Sequence, residues 1–116
     1  MQATIWHNNR CSNSRGALAL LQEAGVETEV INYLDTPPSP AQLRELLDAM
    51  GMPARDLLRS KEAAYSELGL ASKLDDEAAL IEAMSRHPAL INRPIVRTAK
   101  GTALCRPPET VLALIS

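Results

Sequence analysis

Apolar and polar positions follow different rhythms along this chain, and the changes of rhythm mark its elements. Ala3-Thr4-Ile5-Trp6 is a short β-prone segment, and Gly16-Ala17-Leu18-Ala19-Leu20-Leu21-Gln22-Glu23-Ala24 is a helix-forming run with Gly25 as its stop. Glu27 to Tyr33 reads as a second strand whose beginning alternates. Strand, helix and strand within about thirty residues form a βαβ unit, which implies a parallel pair and a right-handed crossover. Asp35-Thr36-Pro37-Pro38 then breaks the chain. Ser39 is an N-cap candidate with Pro40 at the first helical position and Gln42 three residues on, the pattern of a capping box. Leu43, Leu46, Leu47 and Met50 recur at helical spacing, and Gly51 closes that helix.

From Pro53 to His87 the pattern stays helical. One piece carries Leu57 and Leu58, another surrounds Tyr65 to Leu68, and a third starts at Asp75 with Leu80, Ile81 and Met84 as its apolar stripe. Such a block is too long for a single crossover, so it is an insertion, at about 39–87. Ile95 to Thr98 and Thr102 to Cys105 read as a hairpin around Ala99-Lys100-Gly101, and Pro107-Pro108 opens a last helix over Glu109 to Ile115. The expected class is α/β: βαβ, an all-helical insertion, then ββα, with a mixed four-stranded sheet in one domain over 1–116.

Composition narrows the chemistry. With 116 residues, 46% hydrophobic and 22% charged, the chain has the makings of one folded domain. A net charge of −2 argues against nucleic acid as the main partner. No apolar run approaches the roughly 20 residues of a membrane span. The chain opens directly into its first strand without a basic leader. Two cysteines make no disulfide framework, so the expected setting is the reducing cytoplasm. The cysteines and histidines lack ligand spacing, and no metal is expected.

Cys11 stands out, because it sits at a strand-to-helix corner where unpaired N–H groups and the positive end of the helix dipole favour a thiolate. His7 either stabilises that thiolate or holds the loop. Ser14 stands where a Cys-x-x-Cys oxidoreductase keeps its second cysteine; its hydroxyl either donates to the sulfur or caps the helix. Asn8 and Asn9 shape the loop. Cys105 is read as a buried structural thiol in the fourth strand, and Arg10, Arg15 and Arg97 as surface charges. Arg106 lies just ahead of a helix N-terminus, where anions are welcome. A phosphatase loop needs Cys-x5-Arg, and Arg15, only four positions after Cys11, comes two positions too early. With no adjacent resolving thiol, the resolving partner should come from outside the chain.

The segments HNNRCSNSR, YLDTPPS, LLRSKEAAYSELGL, HPALINRPIV and GTALCRPPE, in that order over nearly the whole chain, resemble the glutaredoxin-coupled arsenate reductases of the ArsC family. The resemblance implies a thioredoxin-like fold with a helical insertion; a monomer without bound cofactor is expected. It implies that Cys11 is the nucleophile and that Arg59, Arg93 and Arg106 gather around the arsenate oxyanion. Glutathione would act as co-substrate and glutaredoxin as partner. It also implies a cis bond before Pro94, where the general share of cis X–Pro bonds is only ~5–6%. Two other readings share the fold: an Spx-like redox regulator that binds RNA polymerase, and a glutathione-dependent reductase of another substrate. The regulators usually carry a Cys-x-x-Cys switch, which this chain lacks.

A lowered thiol pKa would be a small part of the chemistry. A drop from ~8.5 to ~6.5 raises the thiolate at pH 7 from ~3% to ~75%. Nucleophilicity falls roughly eightfold over the same interval, leaving about a threefold gain. Charge-assisted hydrogen bonds of ~1.5–3 kcal/mol each weigh more, which puts the emphasis on the arginines.

Overall fold

Adjacent β-branched and aromatic residues, Ile5-Trp6, Val30-Ile31 and Ile95-Val96, favour strands that bring the ends of the chain into one sheet. The computed structural model describes residues 1–116, divided into two units, Met1–Thr36 with Arg93–Ser116 and Pro37–Asn92. In the first unit, β1 (Gln2–His7), β2 (Glu27–Asn32), β3 (Ile95–Thr98) and β4 (Gly101–Leu104) form a sheet in the order β2-β1-β3-β4. The β1–β2 pair is parallel, with Ile5 opposite Val30, and the other two pairs are antiparallel. This is the mixed four-stranded sheet expected. The hairpin is tighter than expected, because Thr98 pairs with Gly101 and leaves only Ala99 and Lys100 in the turn. Gly101, at φ 149°, takes the backbone conformation that a side chain would resist.

Helix α1 spans Ser12–Glu23, four residues longer at its start than the apolar rhythm indicates. The polar Ser12-Asn13-Ser14 forms its first turn, and Cys11, in an extended conformation, is its N-cap residue. Ala17 and Leu21 of α1 pack with Ala3, Ile5, Val96, Val111 and Leu114 into one buried cluster. Cys105 lies in that cluster, fully buried, one residue past β4 rather than within it. Its backbone N–H donates to the Pro94 carbonyl at 2.8 Å.

The last element is a 3-10 helix over Pro108–Leu114, not the α-helix expected over Glu109–Ile115. Its apolar anchors explain the difference. Val111 and Leu114 are buried and three residues apart, so a helix of three residues per turn aims both inward. The Thr98 hydroxyl donates to the Leu114 carbonyl at 2.7 Å and ties off the end. Arg93-Pro94 and Arg106-Pro107 are both cis; the second was not foreseen.

The second unit is helical: α2 (Pro40–Met50), α3 (Ala54–Leu57), α4 (Ala63–Glu67), a 3-10 turn at Leu70–Ser72, α5 (Glu77–Arg86) and a 3-10 turn at Pro88–Leu90. The Ser39 hydroxyl accepts the Gln42 N–H at 3.1 Å, and Gly51 at φ 65° closes α2. Leu43, Leu46 and Leu47 of α2 and Leu80, Ile81 and Met84 of α5 are buried, as read from the sequence, while Met50 at the end of the α2 stripe is only partly buried. No helix is long and apolar enough to cross a membrane.

Candidate active site

The loop from His7 to Cys11 closes on its own polar side chains. His7, Asn8 and Ser14 are buried, so each needs partners inside the protein. The Ser14 hydroxyl lies 2.6 Å from His7 Nδ1 and accepts the Asn8 N–H at 3.0 Å. His7 Nε2 faces Asn9 Oδ1 at 3.4 Å. A neutral ring protonated at Nε2 satisfies both contacts, donating to Asn9 and accepting from Ser14. The Asn8 carboxamide accepts the Arg10 N–H at 2.9 Å and donates to the Tyr33 hydroxyl at 3.4 Å. The Cys11 N–H then donates to the Asn8 carbonyl at 3.0 Å, which turns the chain into α1.

Of the alternatives open for Ser14, neither describes its hydroxyl, which is committed to His7 and Asn8. Its backbone N–H is the group that meets the Cys11 sulfur. The sulfur makes no capping hydrogen bond of regular geometry, but the N–H groups of Ser14 and Asn13, orphan donors of the first turn, stabilise its anion. For His7 the arrangement matches the loop-holding alternative.

Two arginines reach the sulfur from the far end of the first unit. Arg106 Nη1 lies 3.5 Å from Cys11 Sγ, and Arg93 also donates to the sulfur. Arg106 Nη1 donates to the Arg93 carbonyl at 2.8 Å as well, linking the two arginines. Partial burial pushes the Cys11 thiol up and is the largest single influence. The Ser14 N–H, Arg93, Arg106 and the Asn13 N–H together outweigh it, and the thiol lies below its ordinary value. The structure therefore holds an accessible, ionisable sulfur beside two guanidinium groups.

The helix-terminus argument for Arg106 does not carry over. The element after it begins with Pro107 and Pro108, which have no N–H to offer an anion, and its first turn carries Glu109. Arg106 owes its place to its own contacts. Arg59 lies in the helical unit. Its Nε pairs with Glu62 at 3.1 Å, its Nη1 donates to Asn92 Oδ1 at 3.3 Å, and its N–H donates to the Leu90 carbonyl at 2.8 Å. Arg97 is no bare surface charge: its guanidinium stands 5.6 Å over the ring of the buried Trp6 and its Nε donates to Thr102 at 3.4 Å. Arg15 donates to the Asn9 carbonyl at 2.9 Å, which adds positive charge beside the loop. No group of three or more His, Cys, Asp or Glu side chains is placed to hold a metal.

Sequence reasoning passed over Asn13. Its carboxamide, with the oxygen turned toward Arg106, accepts from both Nη atoms at 3.2 Å. Only its neighbourhood to Cys11 could have drawn attention to it.

A family model described as the ArsC family matches residues 6–114. The chain is 48% identical over 112 residues to an arsenate reductase of Escherichia coli, covering 97% of this chain and 79% of that protein. It is 50% identical over 115 residues to the uncharacterized protein YfgD of Escherichia coli K12, covering 98% and 97% of the two. The solved arsenate reductase of Vibrio cholerae superposes with a TM-score of 0.93 at 42% identity, over 99% of this chain and 98% of that one. The fold is accordingly thioredoxin-like. With the match running from the first strand to the last helical turn, this chain belongs to the ArsC family.

Proposed function

We propose that this protein reduces arsenate to arsenite through a covalent adduct on Cys11, with glutathione and glutaredoxin supplying the electrons. The reading rests on one observation above all: a sulfur with a lowered pKa lies 3.5 Å from the Arg106 guanidinium, with Arg93 on the same sulfur. An arsenate reductase of Escherichia coli at 48% identity lends it weight. Guanidinium groups grip tetrahedral oxyanions through paired N–H donors and stay charged at every working pH.

In this mechanism the Cys11 thiolate attacks arsenic and water departs, giving a sulfur–arsenic bond. A glutathione thiolate then attacks the Cys11 sulfur. The sulfur–arsenic electron pair goes to arsenic, which leaves as arsenite, while Cys11 and glutathione are oxidised to a mixed disulfide. Glutaredoxin, with further glutathione, returns Cys11 to the thiol. Arg93 and Arg106 hold the anion against the sulfur, and Arg59 is included on the family resemblance alone.

A coupled assay with arsenate, glutathione, glutaredoxin and NADPH tests this. Cys11→Ser abolishes turnover, and Arg59→Ala, Arg93→Ala or Arg106→Ala each lower it by roughly tenfold or more, about 1.4 kcal/mol of transition-state stabilisation. Turnover that survives loss of Cys11 would refute the mechanism. No turnover by the intact protein, with specific capture of RNA polymerase, would replace it with the redox-regulator reading.

A further inference from the structure

Arg106 is exposed, and yet its guanidinium is held at the sulfur. A free arginine side chain carries about 2 kcal/mol of rotamer entropy, which the single contact to sulfur does little more than offset. The acceptors around the group account for its order. The Arg93 carbonyl takes a hydrogen of Nη1 at 2.8 Å, and the Asn13 carboxamide oxygen bridges Nη1 and Nη2 at 3.2 Å each. Asn13 stands in the first turn of α1, two residues from the nucleophile. That rigid position lets a short side chain register the guanidinium against the sulfur.

We propose that Asn13 is a positioning residue for Arg106, its carboxamide oxygen gripping both Nη atoms so that the remaining N–H donors face an oxyanion arriving at Cys11. The anion half of this inference rests on the function proposed above; the grip on Arg106 does not. The residue type matters electrostatically. An aspartate here would bind the same fork more tightly but cancel the positive charge that the sulfur and the anion both need. An amide holds the plane of the guanidinium and leaves its charge unspent.

The experiment uses the full chain as wild type, Asn13→Ala, Asn13→Asp, Arg106→Ala and the double variant Asn13→Ala/Arg106→Ala. The first readout is the pH profile of Cys11 alkylation by iodoacetamide, an uncharged probe. Asn13→Ala moves the inflection upward, and Asn13→Asp, which is isosteric and well suited to a helix start, moves it further. In the Arg106→Ala background Asn13→Ala adds nothing, because its effect passes through that guanidinium. The second readout is arsenate turnover, in which Asn13→Ala raises KM about two- to tenfold, the worth of one hydrogen bond, with a smaller change in kcat. An Asn13→Ala shift of equal size in both backgrounds, or none in either, overturns the proposal. Absence of arsenate turnover in the wild type would sink the functional reading alone, and the alkylation cycle would still decide the role of Asn13.

Discussion

Ser14 carries the hydroxyl on which the loop before the nucleophile closes. It is fully buried and serves two partners, His7 Nδ1 and the Asn8 N–H. Ser14→Ala would leave both unsatisfied, at about 1–3 kcal/mol each before relaxation, so the urea midpoint should fall at constant slope. The Cys11 alkylation profile should barely move, because the backbone N–H of residue 14 remains. A shift as large as that of Arg106→Ala would show that the hydroxyl acts on the sulfur after all. The sign at Cys11 itself is fixed by its lowered value. Alkylation reaches half its plateau at a lower pH than for an ordinary cysteine. Its ionisation stabilises the fold above the unfolded thiol value, and that contribution is lost as pH falls through the folded value.

Between elements, α1 approaches the C-terminal 3-10 helix closely at Gly16. A Cβ added at Gly16 would meet Pro108 Cγ at 3.0 Å and Cβ at 3.1 Å, and a proline ring has little room to yield. Alanine at a helical position gains about 1 kcal/mol over glycine, whereas crowding a packed contact costs typically 1–3 kcal/mol. Gly16→Ala should therefore destabilise the protein, by about 1 kcal/mol in urea denaturation, despite improving helix propensity. A stabilised variant would mean that the C-terminal helix shifts freely. The elements were largely legible, since the β-prone runs around Ile5 and Val30 and the leucine stripes of α2 and α5 are local signals. The 3-10 form of the last helix was not, because Val111 and Leu114 select it by what they pack against. Nor were the partners of Ser14, Asn13 and Arg97, each of which depends on a contact that no spacing along the chain encodes. Cys11 was visible as a helix-start thiol, while the gathering of arginines around it rested on the family resemblance.

For the whole molecule, the two cysteines separate by environment. Burial pushes the Cys105 thiol up to about 12, whereas Cys11 is half-exposed and lowered. A thiol reagent at neutral pH should modify one equivalent in the native protein and two in denaturant; two fast equivalents in the native state would place Cys105 in reach of solvent. The raised value also sets an alkaline limb. Below the ordinary thiol value of 9.0 its contribution to stability is fully present, and it is lost as pH rises toward about 12. Subtracting the stability profile of Cys105→Ala from that of the wild type isolates this limb from the lysines and tyrosines.

The span of 95 residues between Cys11 and Arg106 has a consequence for biosynthesis. During translation the sulfur leaves the ribosome long before either cation that tunes it, with all of Pro37–Asn92 still to be made in between. A nascent chain thus bears the sulfur without either guanidinium group, and only the local N–H groups of Asn13 and Ser14 are there to favour its anion. The full cationic centre assembles when β3 and the residues beyond it emerge and β3 pairs with β1.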